Sequence, residues 1–228
     1  MIKKASLLAL IAGYFLLIFG TGSVQARSEL AILDNSAQVK FPSELNFNLS
    51  VDNDINIADI RLYYVLDRIS FTEVTSEVYI EFAPATTVDA QWTWNMRKTG
   101  GLPPGSNIRY WWAVEDANGQ KVETEPIQIQ FDDNRYSWQH LTEGRVTIYW
   151  YEGDNSFAQE LMTAAQQALA RLANDTGAEL KKPVRLYVYA TTQDLQGAMI
   201  YPQEWTGGIA FTRYGAIAIG IAPDDRQW

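Results

Sequence analysis

The sequence predicts a mixed fold, an all-β sandwich followed by an α/β unit, and two observations carry that reading. Up to about residue 132 the apolar residues alternate with polar ones in short runs separated by turn residues, the pattern of half-buried strands. Beyond that point a strand-like run, a long helix-period run and a second strand-like run follow one another, the order of an α/β or α+β unit.

The elements read in order. Residues 1–26 stand apart: Lys3 and Lys4 form a positive head, Ala5–Phe19 is mostly apolar, and Val24-Gln25-Ala26 fits a small-x-small cleavage site, so this stretch reads as a signal peptide or a retained N-terminal anchor. As a helix the apolar run would be about 22 Å long against a hydrocarbon core of about 30 Å. Extended to Val24, it could just span. Either outcome places the rest of the chain outside the cytoplasm, secreted or attached to the cell envelope.

Residues 27–132 form the first predicted domain. Leu45, Phe47, Leu49 and Val51 alternate with polar residues, Ile60–Leu66 follows the turn-rich Asp52-Asn53-Asp54, and Val78, Ile80 and Phe82 alternate again. Trp92, Trp94 and Met96 share one face of a further strand. Gly100–Gly105 is a loop by composition. Ile108–Glu115 and Val122–Phe131 flank Ala117-Asn118-Gly119, and Asn-Gly between such runs signals a hairpin because both residues accept positive φ. Strands joined by short turns over about 100 residues favour a sandwich. The order of Pro-Gly, Tyr-Trp and Asp-x-x-Gly resembles immunoglobulin or fibronectin type III modules, a likeness that concerns fold and not function.

Asp132-Asp133-Asn134-Arg135 reads as a polar boundary, and residues 133–228 form the second predicted domain. Val146–Tyr151 is its first strand. Ser156 to Gln159 fits a capping box at the start of a helix whose apolar face holds Phe157, Leu161, Ala164, Ala165, Ala168, Leu169 and Leu172. Gly177 is a plausible stop. Val184–Tyr189 is the second strand, Thr192 a cap for a short helix through Met199, and Trp205–Phe211 and Ala216–Ile221 complete the unit.

Charge narrows the partners. The chain has a net charge of −9, and removing Lys3 and Lys4 leaves 16 basic against 27 acidic side chains, a net of −11. Such a surface repels nucleic-acid phosphates and anionic lipid, so no nucleic acid is expected, and the membrane enters only through residues 1–26 if they are uncleaved. With no cysteine there are no disulfides, so stability must come from the core.

Most catalytic chemistry lacks its residues. A zinc site needs three or four ligands, whereas the chain has one histidine, His140, and no cysteine. His140 therefore reads as a surface or packing residue, with no metal and no catalytic residue assigned. A serine triad would need that same histidine, and phosphate-cradling glycine loops are absent. Asp52-Asn53-Asp54 starts like a calcium loop but lacks its later glycine and glutamate, and Asp132 with Asp133 reads as a solvated acidic linker sooner than a calcium site. Glu152 and Asp154 read as charge favourably placed at a helix N-terminus. The aromatic runs (Trp92 with Trp94, Tyr110 with Trp112) could stack on sugars, but their alternation fits core strands better.

From residue 144 onward the motifs GRVTIYWYEGD, KKPVRLYVYATTQDLQGAM, WTGGIAF and AIAIGIAPDD resemble the bacterial peptidase MA-like family of metallohydrolases, of gluzincin type. FPSELNFNLSVDNDINIADIRLYYVLD, PPGSNIRYWWAVEDANG and FDDNRYSW resemble the region that precedes them in the same proteins. The resemblance implies the N-terminal part of a zincin-like domain, cut before the helix that bears His-Glu-x-x-His. It implies zinc only in a longer version of the chain, and a peptide or protein substrate there. No catalytic residue transfers. What the resemblance does supply is Gly207, Gly208, Ile209 and Ala210, on a strand that in such folds borders the cleft and pairs with the substrate backbone; a plain hairpin is the competing reading. Two functions stay open: the N-terminal portion of an exported zinc peptidase-like hydrolase, inactive by itself, or a non-catalytic cell-surface protein that binds glycan or protein.

Overall fold

The computed structural model describes residues 30–69 and 72–224, so the segment read as signal or anchor lies outside the described residues. The described residues are rich in strands and have a small helical part, with three sheets. Among the described residues no helix is long and apolar enough to cross a membrane.

The first unit holds β1 (Ala31–Lys40), β2 (Glu44–Asp52), β3 (Ile57–Leu66), β4 (Thr75–Tyr79), β5 (Thr87–Asn95), β6 (Ser106–Asp116), β7 (Lys121–Glu123) and β8 (Ile127–Phe131). One sheet has the order β1-β2-β5; the other has β4-β3-β6, with β7 and β8 both paired to β6. Their inner faces share one core. Leu45, Phe47, Leu49 and Val51 are all buried, as the period of two requires, and Phe47 meets Tyr110 of the other sheet edge-on at 4.9 Å. The run Val122–Phe131, expected as one strand, is two: Thr124–Pro126 interrupts it, where a proline cannot donate to the ladder. The strand expected to include Phe82 ends at Tyr79.

The second unit is a mixed sheet of order β12-β13-β11-β10-β9. It is built from β9 (Gln139–Glu143), β10 (Val146–Trp150), β11 (Val184–Tyr189), β12 (Gly208–Phe211) and β13 (Ala216–Gly220). The inner strands β10, β11 and β13 are parallel, whereas β9 and β12 run antiparallel at the two edges. Helix α1 (Asn155–Thr176) links β10 to β11. Its N-cap is Asp154, not Ser156: the Asp154 carboxylate accepts from the Phe157 N–H at 2.9 Å, while the Ser156 hydroxyl donates to Asp154 instead. Gly177 ends the helix in the left-handed region at φ 69°. In the first two turns of α1 Phe157, Ala158, Leu161 and Met162 are buried, but Ala168 and Leu172 of the expected apolar face are exposed. The short helix α2 (Thr192–Gly197) is capped by Thr191, one residue before the expected cap.

Alternation decides what each face of this sheet meets. Val146, Ile148, Trp150 and Val188 pack with Phe157, Leu161 and Met162 of α1. Tyr187, Tyr189 and Ala218, on the other face, join the core of the first unit, with Ile209 and Phe211 packed against it. The hydrophobic core is therefore continuous across the polar Asp132–Arg135 segment.

Asp132, Asn134 and Arg135 of that segment are exposed, but Asp133 is not solvated. Asp133 is 1% exposed. Arg135 grips it through two nitrogens, Nε at 2.8 Å and Nη2 at 2.6 Å, and the Tyr189 hydroxyl donates to it at 2.9 Å. Trp138 donates its indole N–H to the Asp133 carbonyl at 2.8 Å. The sequence looks polar here because a buried carboxylate needs partners.

Candidate functional site

The expected substrate strand is a free edge. No described strand pairs with the outer side of β12. On its inner side it pairs antiparallel with β13, from Gly208 opposite Ile219 to Phe211 opposite Ala216. The Gly220 N–H donates to the Gly207 carbonyl at 3.0 Å. In an antiparallel ladder, bonded pairs alternate with pairs whose polar groups turn away. Ile209 and Phe211 thus direct their N–H and C=O groups to β13, and Gly208 and Ala210 direct theirs to the free edge.

Side chains follow the same alternation. Ile209 and Phe211 are half-buried on the first unit's core, while Gly208 and Ala210 are exposed. Packing does not demand the two glycines. A Cβ added at Gly207 would meet nothing within 4 Å, and one at Gly208 would touch only Ile219 Cγ1 at 3.4 Å and the Ala218 carbonyl at 3.5 Å. Two glycines without a steric reason, beside an open row of backbone groups, leave room for another backbone to approach. The edge is also a hairpin: a 3₁₀ turn at Thr212–Tyr214 and Gly215, φ 57°, return the chain into β13.

Upstream of this edge lies a cluster of phenols and carboxylates. Tyr136 and Tyr151 stack at 4.0 Å, and both hydroxyls donate to Asp194 of α2 at 2.9 Å. Burial pushes the Asp194 carboxyl up, but hydrogen bonds from Thr191, Tyr151 and Tyr136, with the nearby Arg135 charge, outweigh it and hold it below its usual range. The Tyr151 hydroxyl also accepts the Ala190 N–H at 2.9 Å. Burial raises the phenols of Tyr151, Tyr187 and Tyr189. These groups fix α2 and the end of β11. Neutral, mutually bonded phenols with an ionised carboxylate make a rigid support, and nothing in it is poised for proton transfer near neutral pH.

The remaining candidates separate. His140 is an exposed residue of β9 beside Tyr149, with ring centroids 5.9 Å apart. Asn53 bonds to the buried Asp116, whose other oxygen accepts the Asn118 and Gln120 N–H groups, so that turn is closed on itself. Tyr110 and Trp112 are buried, and Trp94 is 5% exposed, which leaves them no face for a sugar. Among the described residues no three His, Cys, Asp or Glu side chains come together in a way that could hold a metal ion. Zinc needs three or four such ligands, so these residues do not fit a zinc site.

Sequence reasoning missed one feature, a groove lined by Arg68 and Arg213 together with Tyr64 and Trp94. Its arginines are far apart in the chain and belong to no motif; an arginine just past the edge strand was the one available signal.

No curated protein matches the chain. Among solved structures, OgpA from Akkermansia muciniphila, also known in complex with an O-glycopeptide substrate, aligns at a TM-score of 0.34 and 10% identity. That alignment covers 47% of this chain and 28% of OgpA, so the chain spans less than a third of that protein. The polysaccharide deacetylase BC0361 from Bacillus cereus aligns at 0.27 and 10% identity over 74% of this chain and 53% of its own. In sequence, residues 164–228, from within α1 through the edge hairpin, match the family model of the Peptidase MA superfamily.

Proposed function

We propose that residues 133–228 are the N-terminal part of a peptidase MA-like hydrolase domain on an exported chain, and that β12 binds the backbone of an extended polypeptide. One observation carries this reading: in the segment that matches the superfamily, the outward backbone groups of Gly208 and Ala210 lie on an unpaired edge. Adding a strand to an open edge is a common mode of peptide recognition. Zinc dependence belongs to a longer version of the chain. The described residues do not fit a metal site, so no step is assigned to the ion. The paired sheets of the first unit, in the same reading, are an immunoglobulin or fibronectin III-like module that supports the sheet through the Asp133 junction. Export follows from residues 1–26, and so does any attachment to a membrane.

Gly208→Val in a longer, active version tests the strand. A valine Cβ fits at ordinary contact distance from Ile219, so the fold should hold. Peptide turnover should fall while zinc content and melting temperature stay unchanged. Unchanged turnover would reduce β12 to scaffold. The DNA after codon 228 tests the parentage, since an in-frame His-Glu-x-x-His favours a hydrolase and a stop codon favours a binding protein.

A further inference from the structure

Two arginines without acidic partners meet in one groove. It encloses about 340 Å³, and Tyr64, Leu66, Trp94 and Thr99 line it with Arg68 and Arg213. Among the described residues no carboxylate lines it. Arg61, Arg109, Arg135 and Arg171 each hold an acid, whereas Arg68 and Arg213, like Arg97, Arg145 and Arg185, form no ion pair among the described residues; Arg145 and Arg185 donate to backbone carbonyls instead. Tyr214 steadies Arg68: its hydroxyl accepts from Nε at 3.1 Å and its ring lies 5.6 Å from Cζ. Both terminal nitrogens of Arg68 are left without a hydrogen-bond partner among the described residues. On a chain of net charge −9, this groove presents two cationic side chains. Guanidinium forks match carboxylates, and the Tyr64–Leu66–Trp94 wall suits an apolar stem.

The groove's position says what could carry that carboxylate. Arg213 comes two residues after Phe211, the last residue of β12. A segment pairing antiparallel with β12 runs its N-terminal residues past that end. We propose that the groove is a subsite for an acidic side chain of a polypeptide, N-terminal to the residues paired with β12. This rests on β12 being a backbone-binding edge. A uronic acid fits less well, because Trp94 is 5% exposed and Tyr64 covers it at 4.8 Å.

The test uses two capped peptides, Glu-Glu-Val-Ala-Val-Ala and Gln-Gln-Val-Ala-Val-Ala, titrated into isotopically labelled protein and followed by amide shifts. The acidic peptide should bind about tenfold more tightly, as one or two charge-assisted bonds allow, and the difference should shrink with salt. The double variant Arg68→Gln, Arg213→Gln replaces exposed residues and should bind both peptides equally. Ala210→Pro removes an outward N–H on an edge strand that tolerates proline and should weaken both peptides alike. An acidic preference that survives loss of both arginines overturns the subsite and leaves the strand reading intact. An acidic preference that vanishes with the arginines, while Ala210→Pro leaves the affinity of both peptides unchanged, keeps a carboxylate subsite and removes the strand. Glucuronate that binds through the two arginines while neither peptide does overturns the assignment to polypeptide.

Discussion

Replacing Asp133 by alanine should unfold the molecule more easily as one unit. The carboxylate is fully buried, and its oxygens accept from Arg135 Nε and Nη2, from the Arg135 backbone N–H at 3.2 Å and from the Tyr189 hydroxyl. Tyr189 is 0% exposed, so its orphaned hydroxyl costs about 1–3 kcal/mol. Arg135 keeps about a third of its side chain in water, which discounts its loss to about 1 kcal/mol. The sum is about 3 kcal/mol. Tyr189→Phe alone removes one donor and leaves the carboxylate held by Arg135, a loss of about 1 kcal/mol. The two changes should not add. With Asp133 already alanine, Tyr189→Phe removes an unsatisfied group and should recover about 1 kcal/mol. Urea unfolding followed by tryptophan fluorescence and far-ultraviolet circular dichroism gives the four free energies. The shared core predicts coincident transitions. Additive losses, or a cost for Asp133→Ala below about 0.5 kcal/mol, would show that the junction is not a coupled network.

Other outcomes follow from burial and geometry. Burial holds Tyr110 up to about 12 and raises Tyr151, Tyr187 and Tyr189 as well. Their contribution to stability is full below about pH 10 and is lost as pH rises through the folded values; a melting temperature unchanged well above that point contradicts it. Asp194, held low, contributes above the usual carboxylate range and loses that contribution as pH falls through its folded value, so Asp194→Asn should flatten the acid side of the same profile. Gly105→Ala should be severe, because Gly105 sits at φ +73° and a Cβ there collides with the Tyr187 hydroxyl; an unchanged melting temperature would refute the packing at that contact. Gly207→Ala, which meets nothing within 4 Å, should leave the melting temperature as it is. Zinc analysis after dialysis should find well under one ion per chain; one zinc per chain, lost on His140→Ala, would overturn the ligand argument.

The sequence made the inner strands legible, and two of the edge strands not. Leu45 to Val51 alternate because both faces have strong and different environments. The strand Ala31–Lys40 has a weak pattern and is mostly exposed or half-exposed; pairing with β2 makes it a strand. Gln139–Glu143 was missed for the same reason, at the far edge of the second sheet. The start of α1 was readable to within two residues. Asp154 and Ser156 are both good caps, and only the observed bonds choose between them. At the candidate site, Gly207 and Gly208 stood out through the family resemblance of the WTGGIAF run. The groove did not, because Arg68 and Arg213 converge only through tertiary structure. Asp133 was misread for a similar reason: its hydroxyl partner, Tyr189, is 56 residues away.

The two units are joined in a way that bears on recognition. Tyr149 and Tyr187 stack at 4.6 Å, and Tyr151 and Tyr189 continue the same face, where Trp138 meets Tyr151, Tyr187 and Tyr189 edge-on at 5.0–5.5 Å. The opposite face of the same strands is aliphatic and covered by α1. A purely apolar contact could slide, whereas rings pinned by hydroxyl bonds to Asp133 and Asp194 hold one register. β11 is set by that junction, β13 by its ladder with β11, and β12 by its ladder with β13. Arg185 adds a cross-link, donating to the carbonyls of Gly105 in the first unit and Tyr214 in the hairpin. The free edge is therefore placed by the first unit, through a chain of ladders and bonds, although that unit contributes no residue to it. A strand that binds an extended backbone gains from being held rigid, because less ordering remains to be done on binding.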